Sequence, residues 1–467
     1  MTDSRNTQSQ PATIKHEHTA IGDKTVTIES QSKTKKLPLL IGMLALAILL
    51  AGTGALLLRA NNSPNAIEHT AHTTIHHATI SIGWSHSLAI MEDGSLWAWG
   101  RHNVGQIGCR YVHLQQNTPR HIMSNVASVR AGHDFTTAIK TDGSLWAWGD
   151  NSYGQLGDGT LNNWSIPVHI MDDVSAVVPG RWNTLAIRND GSLWAWGQNH
   201  LGQLGDGTTT DRHTPVHVMN DVVYVANGHI VMMAIKSDNS LWAWGANARG
   251  DIGDGTTVER HEPVHIMDNV LSISVGLGYA LAIKEDNSLW AWGFNETGSL
   301  GDGTTVNRYY PVHIMDDVVF VDATTMRYAV AIKADNTLWA WGEMYWGELG
   351  CNENTARHKP VLIMEDVAHV SSNPSEFVIT TTDKGLWIMR LGFSLDVFAD
   401  GGIINRYAPV RMLDDVVAVS AHTHTLILQG NGQLWAWGDN FWGQLGVEGV
   451  TGTHDGPVKV LDNVRLP

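Results

Sequence analysis

The feature that most constrains this chain is a five-residue run, Leu-Trp-Ala-Trp-Gly. It begins at Leu96, Leu145, Leu193, Leu241, Leu289, Leu338 and Leu434. A degenerate copy, Leu386-Trp-Ile-Met-Arg390, fills the one gap. The first Trp of successive copies lies 49, 48, 48, 48, 49, 48 and 48 residues after the one before. Self-similarity at a fixed period of this length signals a repeat architecture, in which each unit cannot bury its own faces and must stack on its neighbours.

Each unit contains four strand-like pieces. In the second they are Val126 to Arg130, Thr136 to Lys140, Ser144 to Trp148 and Pro167 to Met171. Asp142-Gly143 reads as a tight hairpin turn between the second and third pieces. Another turn follows the fourth piece, at Met171 to Val174. Four short strands per unit, repeated without helical periodicity, predict an all-β propeller of four-stranded blades. Eight copies favour eight blades, with seven as the alternative. Trp146 and Trp148 are two residues apart and fall on one face of a strand. Fourteen of the 20 Trp form such pairs, so they are expected to pack blade against blade.

The order of motifs in one unit runs Leu-Trp-Ala-Trp-Gly, Asn151 to Thr160 (Asn-Ser-Tyr-Gly-Gln-Leu-Gly-Asp-Gly-Thr), Pro-Val, and a Gly-x-x-x-x-Leu-Ala-Ile strand ending in Asp-Gly. This pattern resembles the regulator of chromosome condensation repeat from residue 77 to about residue 463. The resemblance implies a propeller, which in that family usually has seven blades. It also implies, by analogy, guanine-nucleotide exchange on a small GTPase with chromatin contact. Members with that activity carry an inserted wedge in one blade, whereas no unit here departs from 48–49 residues. A related propeller, a secreted β-lactamase inhibitor protein, suggests inhibition of a secreted enzyme as a further alternative. Fold alone does not carry function across.

Ahead of the repeats lies Leu37 to Leu58, 22 residues without a charge and long enough to span a bilayer as a helix. Lys33, Lys35 and Lys36 precede it and only Arg59 follows closely, so the positive-inside bias predicts a cytoplasmic N-terminus and an extracytoplasmic propeller. The domain reading is a polar cytoplasmic tail (1–36), a transmembrane signal-anchor helix (37–58), a stalk (59–76) and the repeat propeller (77–467). Cleavage as a signal peptide, near the small residues 51–55, is the alternative, although the apolar run is long for one. Beyond residue 59 there are 23 basic and 42 acidic residues, net −19, which argues against nucleic acid as a partner.

Comparison among the repeats locates the working end. Strands and short turns are nearly uniform, and two segments vary. One precedes the Leu-Ala-Ile strand: Trp84 to His86, His133 to Phe135, Arg181 to Asn183, Leu277 to Tyr279, Met326 to Tyr328. The other follows Trp-Gly: Ser152-Tyr153, His200-Leu201, Ala248-Arg249, Tyr345-Trp346, Phe441-Trp442. Antiparallel order brings both to the same face, rich in the residue types of interface hot spots. The expected binding residues are Trp84, His86, Phe135, Tyr153, Trp182, Tyr279, Tyr328, Tyr345, Trp346, Phe441 and Trp442, with Arg181 and Arg327 as polar anchors. The partner expected there is a protein, with a glycan as the alternative.

No nucleophile–base pair, carboxylate pair or phosphate-cradling loop stands out, so no enzyme activity and no cofactor is expected. The recurrent Gly-Asp-Gly-Thr loops read as Asp-stabilised turns rather than Ca²⁺ sites. His121, His169, His217, His265 and His313 occupy one repeat position in separate blades, too far apart for one metal ion. Cys109 and Cys351 also fall in separate blades, which argues against a disulfide between them.

Overall fold

In the computed structural model, every Leu-Trp-Ala-Trp-Gly run is the third strand of a four-stranded antiparallel sheet, as in Leu145–Gly149. The structure describes residues 78–110, 114–324, 327–343, 357–373, 376–390 and 409–467. The proposed tail, membrane helix and stalk therefore lie outside the described residues. Among the described residues no helix is long and apolar enough to cross a membrane.

Eight such sheets follow one another, at residues 80–123, 126–171, 174–219, 222–267, 270–315, 318–364, 367–413 and 416–461, each with its strands in sequence order. They are referred to below as blades 1 to 8, so the count is eight and not seven. The first strands of most neighbouring blades lie side by side around the axis, blade 6 meets the first strand of blade 7 through its second strand, and the first strands of blades 8 and 1 also meet, which closes the ring.

Two kinds of tight turn occupy one end of the disc. In the hairpins, Asp142 Oδ1 accepts from Ser144 N at 3.0 Å and Ser144 Oγ at 2.6 Å. The same Ser144 Oγ accepts from Trp146 Nε1 at 2.9 Å, and the triad recurs at Asp190, Asp238 and Asp286. Between blades, Asn125, Asp173, Asp221, Asn269, Asp317, Asp366, Asp415 and Asn463 all adopt φ of 56–63°. Asn and Asp tolerate this left-handed region best after glycine.

The two Trp of each pair have different environments. The first is half-buried, with His169 packed edge-on against Trp146 at 5.5 Å. The second is fully buried against the preceding blade: Trp148 packs on Leu88, Ile90, Leu96 and Ala98. A buried indole N–H needs an acceptor. Trp148 Nε1 donates to Gln106 O at 3.1 Å, Trp196 to Gln155 O at 2.9 Å and Trp244 to Gln203 O at 3.1 Å. At roughly 25 cal/mol per Å² and about 200 Å² per indole, each contributes on the order of 5 kcal/mol gross. Both members of the pair thus pack between blades as expected, the second fully buried and the first half-buried at the margin of the same cluster, as Trp146 is beside Trp148.

Closure repeats the same bonds. Trp99 of blade 1 donates to Gln444 O of blade 8 at 2.9 Å. Thr141 N bonds Asn125 O across one blade junction, and Glu92 N bonds Asn463 O in the same way across the seam. Val126 starts the first strand of blade 2 opposite Lys140, and Val464 bridges Met91 of blade 1 in the equivalent place. Arg465 N then donates to Ile90 O at 2.9 Å, and its guanidinium reaches Val126 O and Ala127 O. The C-terminal residues thereby complete the first strand of blade 1.

Truncation after Asn463 is expected to lower stability by at least about 2 kcal/mol, since it removes a fully buried Val and the seam hydrogen bonds. Urea unfolding of the full and truncated chains checks this.

Candidate interaction face

The variable segments share one end of each blade because the second and third strands are antiparallel. The residue after Trp-Gly bonds back to the segment that opens the second strand. Examples are Gln198 N to Trp182 O at 2.9 Å, Phe294 N to Gly278 O at 2.8 Å and Asp439 N to Thr423 O at 3.2 Å. This end is opposite the Asp-Ser-Trp turns.

Of the thirteen residues expected at the face, several are displayed there. Trp84 is 45% exposed and stacks on His133 with ring centroids 4.7 Å apart. Phe441 is 70% exposed beside half-buried Trp442, over which Arg101 lies at 4.9 Å. Tyr153 and Trp182 pack at 5.5 Å, with the exposed Arg181 guanidinium 4.2 Å from the Trp182 ring. Arg327 lies 4.8 Å over Phe294 and 3.4 Å from Glu343. Tyr345 and Trp346 lie outside the described residues.

Four others are core. His86, Phe135, Tyr279 and Tyr328 are each the first residue of a second strand and point between blades. All four are buried. Tyr279 OH donates to Tyr328 O at 2.5 Å, and Tyr328 OH donates to Asn373 O at 2.8 Å. Phe135 covers Gly132 so closely that a Cβ there would lie 2.3 Å from its ring. His86 is close to Thr136 Oγ1 at 3.0 Å, and that hydroxyl donates to Gln106 O. The imidazole's Nε2 is therefore the donor. Burial depresses its pKa to about 4 and keeps the ring neutral. The physical reason is register: the next position along enters the strand, and every strand residue here faces a neighbouring blade.

The innermost residue of the variable turn follows a Gly or its equivalent in the repeat. It reads Trp84, His133, Arg181, His229, Leu277 and His422 in blades 1, 2, 3, 4, 5 and 8. Trp84 N donates to His133 O at 3.0 Å, Thr423 Oγ1 donates to Trp84 O at 2.7 Å, and the His422 ring lies 5.4 Å from Trp84. The residues at this position thus ring the axis. His229, His422 and Phe294 were not singled out from the sequence, although aligning the turns on that Gly would have found the histidines.

A second feature sits under blades 4 and 5. Gln106, Gln155, Gln203 and Gln444 each accept a backbone N–H two residues earlier, as in Tyr153 N to Gln155 Oε1 at 2.9 Å. Asp251 replaces Gln at this position. It is 5% exposed, Arg249 N reaches its Oδ2 at 3.4 Å, and its Oδ1 is buried without a partner. Burial pushes its pKa up to about 6. The Arg249 guanidinium nearby lies 5.1 Å over Phe294.

The Gly-Asp-Gly-Thr loops direct their carboxylates inward. Asp206 Oδ1 accepts from Thr208 N, Thr208 Oγ1 and Asn199 Nδ2, while Oδ2 takes Arg212 Nε at 2.6 Å. Cys109 Sγ lies 3.1 Å from His102 Nε2, and Cys351 is outside the described residues.

Phe441→Ala is expected to shift stability by less than about 0.5 kcal/mol, and Phe135→Ala to lower it by about 3–5 kcal/mol. Thermal unfolding of both variants distinguishes displayed from core aromatics. The raised pKa of Asp251 means the folded state takes up a proton more readily than the unfolded one. Stability therefore falls as pH rises from about 4 to about 6, and the loss persists above that. Asp251→Gln should stabilise by roughly 1–3 kcal/mol at pH 7.5 and by almost nothing at pH 4, measured by denaturant titration.

Among solved structures, the chain is similar to human WBSCR16, at 18% identity and TM-score 0.54, covering 79% of this chain and 94% of that one. Yeast RCC1 (Prp20), solved with Kap60, matches at 17% identity and TM-score 0.54, covering 88% and 91%. Prp20p from Saccharomyces cerevisiae, described with its binding to Gsp1p and histones, matches at 18% and 0.53, covering 85% and 90%. At these identities the likeness is one of fold. No curated protein matches the chain. Residues 49–326, more than half of the length, match the RCC1-like domain family, and the chain belongs to that family.

Proposed function

We propose that this chain is a membrane-anchored binding module, without catalysis, that presents the variable face of its propeller to a protein partner on the extracytoplasmic side. The observation that carries the reading is the display of Trp84, Arg181, Trp182, Phe441 and Trp442 at one end of a rigid ring whose other end holds only tight turns. Large aromatics and Arg are the residues that dominate binding energy at protein interfaces. Loops held by a stiff scaffold are where such residues gather.

The anchor in this reading is Leu37 to Leu58, an uncharged run with Lys33, Lys35 and Lys36 on its N-terminal side. The relatives of the same fold support partner class only: the yeast structures name proteins, Kap60, Gsp1p and histones, as what Prp20 binds. Nucleotide exchange on a small GTPase is the alternative by that analogy, and inhibition of a secreted enzyme is a further one.

Photo-cross-linking residues placed at Phe441 and at Asn189, on the opposite end, test the face in whole cells. A discrete protein adduct from Phe441 and none from Asn189 is expected, together with cleavage of a C-terminal tag by external protease. Equal adducts from both sites, or a protected tag with stimulated exchange on a GTPase, would overturn the reading.

A further inference from the structure

Among the described residues, the innermost ring of the face holds an arginine and three imidazoles but no carboxylate, although the chain as a whole is acidic. The protein has a net charge of −16. Much of its acid lies at the turn end, where Asp93, Asp142, Asp190, Asp238, Asp286 and Asp335 sit in exposed hairpins. At the other end, around the axis, the same repeat position supplies Arg181, His133, His229 and His422, with Trp84 stacked among them. Arg181 and His229 are close enough for the guanidinium to disfavour a second positive charge on the imidazole, His133 acts on His229 and His422 in the same sense, and so does His229 on His422.

Among the described residues the acids near this mouth are engaged by their own surroundings, Asp150 by Ser152 and Gln155 and Asp439 by Phe441 N. Asp134 Oδ2 is 2.7 Å from His133 Nδ1, and Asp134 Oδ1 is 3.7 Å from Arg101. Among the described residues no carboxylate forms an ion pair with Arg181, which instead rests on the Trp182 ring at 4.2 Å. An exposed guanidinium fixed on an aromatic plane, next to His229 and His422, which form no ion pair among the described residues, is pre-organised for carboxylates.

We propose that the mouth of the propeller receives an acidic segment of the protein partner, with Arg181 and the imidazoles of His229 and His422 contacting its carboxylates. This inference rests on the variable face being the binding surface. The charge separation between the two ends would also orient such a partner toward the mouth, since the turn end repels it.

Proton linkage gives the proposal a distinctive signature. Desolvation by the crowded mouth first, then neighbouring positive charge, holds the pKa values of His229 and His422 below the usual imidazole range, although both side chains keep an exposed surface. Around them stand Arg181, His133 with its partner Asp134, and the buried His424 and His86, both of which burial keeps neutral. A bound carboxylate adds the missing negative charge, raises the imidazole pKa values and draws protons in. Binding must then tighten as pH falls.

The test uses the full chain and a fluorescent oligo-glutamate peptide, followed by anisotropy at pH 7.5 and 5.5. Expected are an affinity on the order of fivefold higher at pH 5.5, and a two- to fivefold loss in Arg181→Gln at pH 7.5. The double variant His229→Asn, His422→Asn should lose the pH dependence while keeping its melting temperature. Equal or tighter binding of oligo-lysine overturns the proposal. So does affinity that ignores both pH and Arg181→Gln, or a preference for phosphatidylserine vesicles over the peptide. If Phe441 still cross-links a partner while these variants change nothing, the acidic-segment inference fails and the binding face stands. If the peptide behaves as expected but no partner is captured, the reading of the face as a partner site fails instead.

Discussion

Six of the eight blades are joined to the one before by an indole N–H reaching back to a backbone carbonyl of its loop. Burying a Trp between two sheets yields most of the apolar contact, but its one donor must be matched, or the unsatisfied group offsets part of that gain. The loop that offers the carbonyl also has to come within touching distance of the ring. A Cβ on Gly157 would stand 2.7 Å from Trp196 Nε1, and one on Gly205 would stand 2.7 Å from Trp244 Nε1. These glycines are therefore dictated by a side chain about 40 residues away, not by their own turn alone. The recurrent loops, with Gly at each end and Leu or Ile before the second, and the recurrent Trp pairs are two halves of one contact.

Blade 7 shows what happens when half of the contact is missing. Its run reads Leu-Trp-Ile-Met-Arg, with Met389 where the other blades have the second Trp. Downstream, Trp437 donates not to a loop carbonyl but to the carboxylate of Glu376, at 2.9 Å. Thr425 Oγ1 donates to the same oxygen at 3.1 Å. One buried side chain thus substitutes for a backbone acceptor, and the register of blade 8 is kept.

The propeller was legible from the sequence because its cause is local and repeated: period, strand alternation and Asp-Gly turns all fall within one unit. The placement of both variable segments at one end also followed, since strand direction alone decides it. What composition could not resolve was the step from turn to strand. His86, Phe135, Tyr279 and Tyr328 sit one or two residues from displayed positions, and their residue types suit an interface as well as a core. Only the pairing Phe135 with Gly149, and its counterparts, shows that they begin the strand and face a neighbour. Asp251 was hidden for another reason. An acid in a loop full of acids gives no signal until its burial and its orphaned oxygen are known.

The seam between Asn463 and Glu92 uses the same connector geometry and the same backbone bonds as the seven covalent junctions. The seam differs from the other boundaries only in detail, in that its first strand is shared between the two ends of the propeller and Arg465 adds bonds to Val126 and Ala127. The ring is thus indifferent to where its polypeptide starts, and a circularly permuted chain opened between Asp221 and Val222 would assemble the same eight sheets. The blade at which the chain opens is set independently of the surface the ring displays, so evolution or design can move the two ends around the circle, one blade at a time, while the face stays the same.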